Sequence, residues 1–393
     1  MVFPVKILFS ISYYHPYVSG LTLAAARWAE DLARSGEAVS VLTMQYEKSL
    51  RMRERIHGVA VMRASWIAKV SKGFISLDWL IKSWRLAGTH DVTVINLPQF
   101  EGIIPAIAAK LQGKRVIAVY HCELVLPHGW VNSVIQSLLE VSNFGSLWLA
   151  DTVVTYTKDY ARHSRLLGLL TRYGKRSVTA IVPPIPFLRK KKALTDSFRR
   201  RIGTPQIVIG VAARLAEEKG MEYLFQAIPR IQALMHTDRI KVVIAGQTDP
   251  VGEAMYKQRI MTLVRRYKKQ VVFLGEIPPH KMGSFYAMIH VLVLPSVNST
   301  EAFGMVQAEA MMAGIPVVAS DLPGVRVPVL KTGMGMVVPP KDSTALAKAI
   351  VAIWKTPEMY TKQTRIVSNY FSATRSSNAF RRVVSGKLYE NNN

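Results

Sequence analysis

The feature that most constrains this 393-residue chain is a twofold series of short apolar, β-branched segments separated by helical stretches. Nearly continuous apolar runs are typical of strands buried on both faces, and their alternation with helices indicates parallel sheets. The first half carries such runs at residues 6–11, 38–43, 59–64, 92–97, 115–120 and 152–157, and the second half at 206–212, 241–246, 271–275, 290–296 and 315–320. The pattern predicts an α/β chain of two doubly wound, Rossmann-like domains that face a central cleft.

Proline and charge mark the boundary between the two predicted domains. Three prolines between residues 183 and 186 precede a charged run at 189–201, which argues against a continuing sheet. We therefore predict an N-terminal domain over 1–187 and a C-terminal domain over 188–365. Residues 366–393 are predicted to form a helix followed by a polar tail, and this segment could pack back on the first domain.

The composition excludes several classes of protein. With 49% hydrophobic residues and a formal net charge of +25, the chain is too apolar for a disordered basic tail. No window approaches 20 consecutive apolar residues, so no membrane-spanning helix is expected. The N-terminus reads as a first strand rather than a secretory signal. The single cysteine, Cys122, cannot form an internal disulfide, which fits a reducing cytosol.

Most of the excess positive charge lies in three short segments. Residues 51–85, 189–201 and 257–269 each carry a net charge of +6, so together they hold 18 of the 25 net charges. Clustered charge favours a polyanion or an anionic surface as partner, whereas solvated helix faces are the simpler alternative.

The first basic segment also contains tryptophans. Basic and aromatic side chains alternate in it, as in segments that lie at the surface of an anionic bilayer. The residues expected to contact a membrane are Trp66, Lys69, Lys72, Trp79, Lys82, Trp84 and Arg85. In the alternative interpretation, Trp79, Leu80 and Trp84 form the core face of one helix.

Two carboxylates follow the predicted strand at 290–296. Glu301 lies in a loop and Glu309 more than one turn inside the helix predicted to begin near Gly304. A helix N-terminus offers unpaired N–H groups to a phosphate or sugar oxygen, and carboxylates accept hydrogen bonds from hydroxyl-rich ligands.

Two cations follow the predicted strand at 206–212. Arg214 and Lys219 lie in one strand-end loop, where such a pair can neutralise a diphosphate leaving group. A capping loop or a surface ion pair is the simpler interpretation of this loop taken alone.

In this order, Arg214…Lys219-Gly220 and Glu301…Glu309 resemble the R-x4-K-G and E-x7-E signatures of the retaining glycosyltransferases of family 4, which have the GT-B fold. The resemblance extends over nearly the whole chain: residues 9–43 are similar to the family's first strand, phosphate-facing loop and helix. Residues 115–123 are similar to its strand that ends in a functional histidine, here His121.

The resemblance implies a role for each matching position. Arg214 and Lys219 would bind the diphosphate, and Glu309 would bind the ribose. Glu301 would bind the donor sugar and phosphate together with the backbone of Phe303, Gly304, Met305 and Val306. From the first domain, Ser19-Gly20 would approach the phosphates and His121 would contact the sugar, while Ile277 in the Glu276-Ile277 loop would lie beside the base. For His121, a buried histidine that closes a strand is the alternative. The chain departs from the family in having Ser19 where a glycine is usual, only Gly246 in a normally glycine-rich turn, and Arg326 where an acidic residue is usual.

The resulting hypothesis is a metal-independent hexosyltransferase that uses a UDP-sugar or GDP-mannose and needs no further cofactor. The first domain would bind the acceptor and the second the nucleotide sugar. The charge clusters favour a lipid or lipid-linked acceptor at the cytoplasmic face of the membrane. A soluble sugar or polysaccharide acceptor is the alternative within this class. A basic nucleic-acid-binding protein is the alternative outside it, although no DNA- or RNA-binding module is recognisable and nucleic acid is not the expected partner.

Overall fold

The computed structural model describes residues 4–70, 73–126, 129–174, 178–250, 253–362 and 364–386. The chain divides into two compact units, one formed by Met1–Pro184 with Ala373–Asn393 and the other by Ile185–Ser372. Each unit is built on its own sheet flanked by helices.

The first unit contains the strands β1 Lys6–Ser10, β2 Ala38–Met44, β3 Arg53–Ile56, β4 Val59–Ala64, β5 Ala68–Val70, β6 Gly73–Ile75, β7 Val92–Leu97, β8 Arg115–Tyr120, β9 Thr152–Thr155 and β10 Val178–Ala180. Its helices before the second unit are α1 Gly20–Arg34, α2 Leu77–Thr89, α3 Ile103–Leu111, α4 Trp130–Leu149, α5 Lys158–His163 and α6 Arg165–Arg172. Eight strands form one sheet in the order β10-β9-β8-β7-β1-β2-β4-β3, and β5 and β6 form a separate hairpin.

The second unit contains the helices α7 Lys192–Ile202, α8 Met221–Met235, α9 Ala254–Arg266, α10 Met282–Tyr286, α11 Met305–Met312, α12 Arg326–Thr332, α13 Ser343–Lys355 and α14 Thr364–Phe371. Its strands are β11 Ile207–Ala212, β12 Ile240–Ala245, β13 Val271–Gly275, β14 Val291–Leu294, β15 Val317–Ser320 and β16 Gly335–Val338. Short 3₁₀ helices lie at Glu217–Lys219, Pro279–Lys281 and Pro357–Tyr360. The sheet order is β13-β12-β11-β14-β15-β16, and every pair is parallel.

The last helix, α15 Ala373–Val384, belongs to the first unit. Its Phe380 ring stacks on Trp28 of α1 with ring centroids 4.6 Å apart, and the Trp28 indole N–H donates to Ser376 Oγ at 3.0 Å. Both rings are fully buried, so α15 covers apolar surface of the first unit.

The predicted α/β class and the two parallel sheets are confirmed. One strand departs from the pattern, because β3 pairs antiparallel with β4 through Arg53 and Ile56 at the edge of the first sheet. Its sequence is Arg-Glu-Arg-Ile, and charged side chains are typical of an edge strand that faces solvent.

Candidate active site

The strand order of the second sheet reverses between β11 and β14, since connections run outward from these two neighbours in opposite directions. Open α/β sheets bind their ligands at such a switch point, at the carboxyl ends of the two strands. The loops that leave β11 and β14 carry both predicted signatures, so the topology brings the two cations and Glu301 to one crevice.

Glycine permits the two loops to touch. Gly220 has a φ of +58°, and a Cβ at this position would lie 2.3 Å from the carbonyl oxygen of Pro295. Gly246, at the end of β12, has a φ of +154°, and its Cβ would lie 2.2 Å from the carbonyl oxygen of Ala213. Any side chain at either position would separate neighbouring strand-end loops.

An ion pair joins the two signatures. Lys219 Nζ lies 2.7 Å from Glu301 Oε2, and the backbone N–H of Gly304 donates to Glu301 Oε1 at 2.9 Å. Both charged side chains are only 17% exposed. Burial alone would lower the pKa of Lys219, but the Glu301 and Glu218 carboxylates outweigh it and raise the pKa. Lys219 is therefore a fixed cation at the start of α11.

The second cation is held within its own loop. Arg214 Nη2 donates to Glu218 Oε1 at 2.6 Å, and the Glu218 carbonyl accepts from the Val297 N–H at 3.0 Å. Burial alone would raise the pKa of Glu218, but Arg214 and Lys219 lower it. Arg214 keeps a third of its side chain exposed, so it remains accessible to an anion.

Glu309 lies inside α11 and is buried, and its Oε2 accepts from the Tyr286 hydroxyl at 2.9 Å. At the helix start, Gly304 has a φ of +72°, Phe303 and Met305 are buried, and Val306 is half-buried. Burial of these side chains leaves the backbone N–H groups of the first helical turn as the polar groups of this segment. Ile277 is half-buried and follows β13, two strands away from β11.

The predicted site residues of the first unit are engaged within that unit. Ser19 is the N-cap of α1: its Oγ accepts from the Thr22 N–H at 3.2 Å, and its own N–H donates to Thr22 Oγ1 at 2.9 Å. Gly20 is the first residue of α1. The loop ends in a capping box, which orients the N-terminus of this helix.

His121 is 2% exposed and uses both ring nitrogens. Its Nε2 lies 3.0 Å from Asn96 Oδ1, which can only accept, so Nε2 carries the proton and Nδ1 accepts from the Tyr156 hydroxyl. The Asn96 amide is oriented by its own donation to the Ser10 carbonyl at 3.1 Å. Burial lowers the pKa of His121 to about 3, so the ring is neutral. This geometry agrees with the alternative of a buried histidine that closes β8.

The chain is similar to known glycosyltransferases in sequence and in fold. Residues 194–369 match the family model described as Glycosyl transferases group 1. An uncharacterized glycosyltransferase of Methanocaldococcus jannaschii is 27% identical over 355 residues, which cover 84% of each chain. The phosphatidyl-myo-inositol mannosyltransferase of Mycobacterium leprae is 36% identical over 136 residues, 34% of this chain and 33% of the relative. The crystal structure of Anabaena HepE in complex with UDP superposes with a TM-score of 0.76 at 18% identity and covers 97% of this chain and all of that chain.

The chain is a glycosyltransferase, and its residues 194–369 match the group 1 family model. Its structural neighbours have the GT-B fold over nearly their whole length, in agreement with the predicted class. No helix in the described part of this glycosyltransferase is long and apolar enough to cross a bilayer.

The first sheet of the glycosyltransferase has polar residues at its own switch point, between β1 and β7, that the sequence patterns did not reveal. Ser10 Oγ donates to Gln99 Oε1 at 3.0 Å, and Ser12 Oγ donates to Glu101 Oε2 at 2.9 Å. Glu101 is buried, accepts the Phe74 N–H at 2.8 Å, and has its pKa raised by burial. In the sequence, polar residues stand at every second position where these strands end, but loops commonly show this pattern, so it does not indicate a site.

The segment predicted to contact a membrane is divided by the structure. Trp79 is fully buried, so the prediction is wrong for this residue, because its ring packs in the core beneath β2. Trp66 is half-buried and donates its indole N–H to the Gln45 carbonyl at 2.8 Å. Trp84 is 52% exposed, so the alternative of one core face for α2 is also wrong.

The basic residues of that segment also have different surroundings. Lys82 is held by Asp78 at 2.6 Å, and Lys69 lies over the Phe74 ring at 5.5 Å. Arg85 is exposed beside Trp84. Lys72 lies outside the described residues.

Proposed function

We propose that this glycosyltransferase moves a hexose from a UDP-sugar or GDP-mannose to its acceptor with retention of configuration, and that the donor binds at the β11–β14 switch point. The observation that carries the proposal is the Lys219–Glu301–Gly304 connection, which joins a partly exposed cation, a carboxylate and a helix N-terminus in one crevice. A cation beside a helix N-terminus suits a diphosphate, and a carboxylate suits sugar hydroxyls.

Each residue then has one role. Arg214 and Lys219 bind the diphosphate, together with the first backbone N–H groups of α11 at 304–306. Glu301 binds the donor sugar, Glu309 binds the ribose, and the backbone at Ile277 contacts the base. Ser19 and Gly20, at the N-terminus of α1, contribute to phosphate binding from the first unit. His121 is neutral and both of its ring nitrogens are hydrogen-bonded, so its role is to position the loop that follows β8. It would contact the sugar only after one of these two hydrogen bonds is broken.

The transfer step needs no dedicated base. The bond from C1 of the sugar to the diphosphate oxygen breaks, the bond from C1 to the acceptor oxygen forms on the same face, and the leaving phosphate oxygen takes the acceptor proton. Negative charge grows on the diphosphate as the bond breaks, so cations fixed beforehand stabilise the transition state more than the ground state. Without donor, Glu218 and Glu301 hold Arg214 and Lys219 in place. These two cations are proposed to take the role that a metal ion has in other transferases.

The relatives favour UDP as the first nucleotide to test, because HepE, which shares the fold, was crystallised with UDP. The decisive assay incubates the full chain with a panel of UDP- and GDP-sugars and detects nucleoside diphosphate release and glycosylated product by mass spectrometry. Glu301→Ala should lower kcat by about 100-fold or more while the thermal transition stays near that of the wild type. The control is Glu358→Ala, an exposed carboxylate in the same unit. Wild-type turnover in Glu301→Ala contradicts the proposed site.

For the acceptor, we propose a lipid or lipid-linked molecule at the cytoplasmic surface of the membrane. An outer apolar face, formed by α2, α3 and α4, supports this choice, since α2 packs on α3 and α3 on α4. Its large apolar residues are between 42 and 81% exposed: Leu77, Leu80, Ile81, Trp84, Ile107, Leu111, Trp130, Val131, Val134, Leu138 and Val141. Exposed apolar patches of this extent mark interaction surfaces, and tryptophan is favoured at membrane interfaces.

A groove of about 550 Å³ runs along this face between α2 and α3, with Trp84, Ile104 and Ile107 in its wall and Arg85 beside them. An apolar groove with a cation suits a chain with an anionic headgroup. Flotation with anionic liposomes tests the assignment. Leu80→Ser/Trp84→Ser should lose most of the bound fraction, whereas Leu330→Ser, an exposed apolar residue of the second unit, should keep it. Equal flotation of both variants, or no flotation of the wild type at low salt, favours the soluble sugar or polysaccharide acceptor.

A further inference from the structure

Three side chains with metal-ligand chemistry converge in the first unit. His15 lies in the loop after β1, Glu30 in α1, and His57 in the turn between β3 and β4. His15 Nε2 lies 2.9 Å from Glu30 Oε1, and His57 Nδ1 lies 3.0 Å from the same oxygen. All three ligand atoms lie within 4.8 Å of one another.

The surrounding structure holds these three residues in place. His57 and Gly58 have φ values of +46° and +87°, the two positive values that a tight turn between antiparallel strands of type I′ requires. A Cβ on Gly58 would lie 3.5 Å from Ala33 Cβ, so the turn packs directly on α1. On the other side, Arg63 of β4 donates from Nη2 to the His15 carbonyl at 2.9 Å and anchors the loop after β1.

A single carboxylate oxygen, Glu30 Oε1, is the hydrogen-bond partner of both imidazole rings. The Glu30 side chain is 18% exposed, whereas that of His57 is 68% exposed. One side of the cluster is therefore open to water.

We propose that His15, Glu30 and His57 form a three-ligand site for a divalent transition metal such as Zn²⁺, with water in the open position. Two imidazole nitrogens and one carboxylate oxygen are a common donor set for this ion. At metal–ligand distances of about 2.0–2.2 Å, tetrahedral ligand atoms lie about 3.3–3.6 Å apart, so each imidazole nitrogen would move a few tenths of an ångström away from the Glu30 oxygen on binding. The exposed ring of His57 has room to make this adjustment.

Each imidazole now donates an N–H toward Glu30, and on binding each proton moves to the other ring nitrogen, so that a lone pair faces the ion. The bound ion would tie the β3–β4 turn to α1 and to the loop that leads to Ser19. The site is therefore a structural clamp of the first unit, independent of the proposed donor chemistry.

The site is tested by adding Zn²⁺ alone to untagged full-length protein after treatment with a chelator. Isothermal titration should give one equivalent of bound Zn²⁺ and a raised thermal transition. Co²⁺ alone should give the visible absorption bands of a low-coordinate site. His57→Asn should weaken binding at least about tenfold and abolish the thermal shift. Asparagine is chosen because it accepts a positive φ, so the turn is kept.

The matched control is His163→Asn. His163 Nδ1 also lies 3.3 Å from a carboxylate oxygen, Asp159 Oδ1, but His163 belongs to no group of three or more possible metal ligands in the described part of the chain. This variant should bind Zn²⁺ as the wild type does. Glu30→Gln should weaken binding while the donor-dependent activity remains measurable in the presence of chelator. Equal Zn²⁺ affinity in wild type and His57→Asn, or the absence of stoichiometric binding by a folded wild type, overturns the proposal.

Discussion

The two sheets have equivalent switch points with opposite electrostatic character. In the first unit, polar residues at the ends of β1 and β7 are buried and hydrogen-bonded to one another, as in the pair of Ser10 and Gln99. In the second unit, Lys219 and Glu301 form an ion pair that keeps contact with solvent. A buried hydrogen-bonded network resists a charged ligand, whereas a partly solvated ion pair exchanges one partner for another at modest cost. The same topology thus provides two different electrostatic environments, and this difference is why we propose the second switch point as the diphosphate site.

The outer surfaces of the two units differ as well, because the exposed apolar face lies on the first unit and two of the three basic segments lie on the second. The first unit exposes the apolar face of α2, α3 and α4, whereas the strongest basic segments of the second unit, at 189–201 and 257–269, lie on α7, α9 and their flanks. Charge alone therefore does not identify the proposed membrane surface. Arg85 and the exposed ring of Trp84 lie together on the apolar face, and this combination of charge and apolar area favours the first unit.

The largest expected effect separates the inner and outer sides of α2. Trp79→Ala removes a fully buried ring and should cost about 3–5 kcal/mol, which lowers the thermal transition of the first unit by roughly 10 °C. Trp84→Ala removes an exposed ring and should change stability by less than about 0.5 kcal/mol. Differential scanning calorimetry measures both. Similar destabilisation by the two variants would contradict the division of this helix into a core side and an outer side.

The next effect tests the contact between the loops of the second switch point. Gly220→Ala combines a positive φ with a Cβ 2.3 Å from the Pro295 carbonyl oxygen, and should cost about 3 kcal/mol and most of the donor affinity. Gly314→Ala has a φ of +83° but no atom near the new Cβ. It should cost only ~1 kcal/mol and leave donor binding intact. If both variants bind donor equally well, close approach of the loops is not required.

The smallest effect is a difference in pH dependence between two buried glutamates, Glu101 and Glu218. The folded-state pKa of Glu101 is raised, so its contribution to stability is present at low pH and is lost as the pH rises. That of Glu218 is lowered, so its contribution is present at neutral pH and is lost as the pH falls through the folded-state pKa. Relative to wild type, Glu101→Gln should gain stability as the pH rises above about 4.5, and Glu218→Gln should lose stability as the pH rises toward about 4.5 from below. Chemical denaturation at several pH values measures these slopes, and slopes of the same sign would contradict the contrast.

Much of the fold follows from hydrophobic runs, and the deviations have physical reasons. Runs such as 92–97 and 115–120 coincide with β7 and β8 because both faces of these central strands are buried. The edge strands β3 and β16 carry no such signal, since β3 is mostly charged and β16 begins with a glycine, whereas the edge strand β13 coincides with the run 271–275. The prediction is wrong for Trp79 but not for Trp84, because the sequence does not show which side of a helix meets the sheet.

The candidate site was predictable residue by residue but not as an arrangement. The motif spacing indicated Lys219 and Glu301 separately, and the ion pair between them depends on β11 and β14 being neighbours in the sheet. The cluster of His15, Glu30 and His57 has no sequence signature, because its histidines are 15 and 27 residues away from Glu30 and the three residues belong to different elements. Tertiary proximity of this kind has no local pattern.

The central claim is that the second switch point binds a nucleoside diphosphate through Lys219. Isothermal titration of the full chain with UDP and with GDP tests it, comparing wild type, Lys219→Met and Lys348→Met, the last replacing an exposed lysine of the same unit. We expect one of the two nucleotides to bind with a stoichiometry of one, Lys219→Met to weaken it about tenfold or more, and Lys348→Met to leave it unchanged. Binding by Lys219→Met that equals that of the wild type would contradict the account.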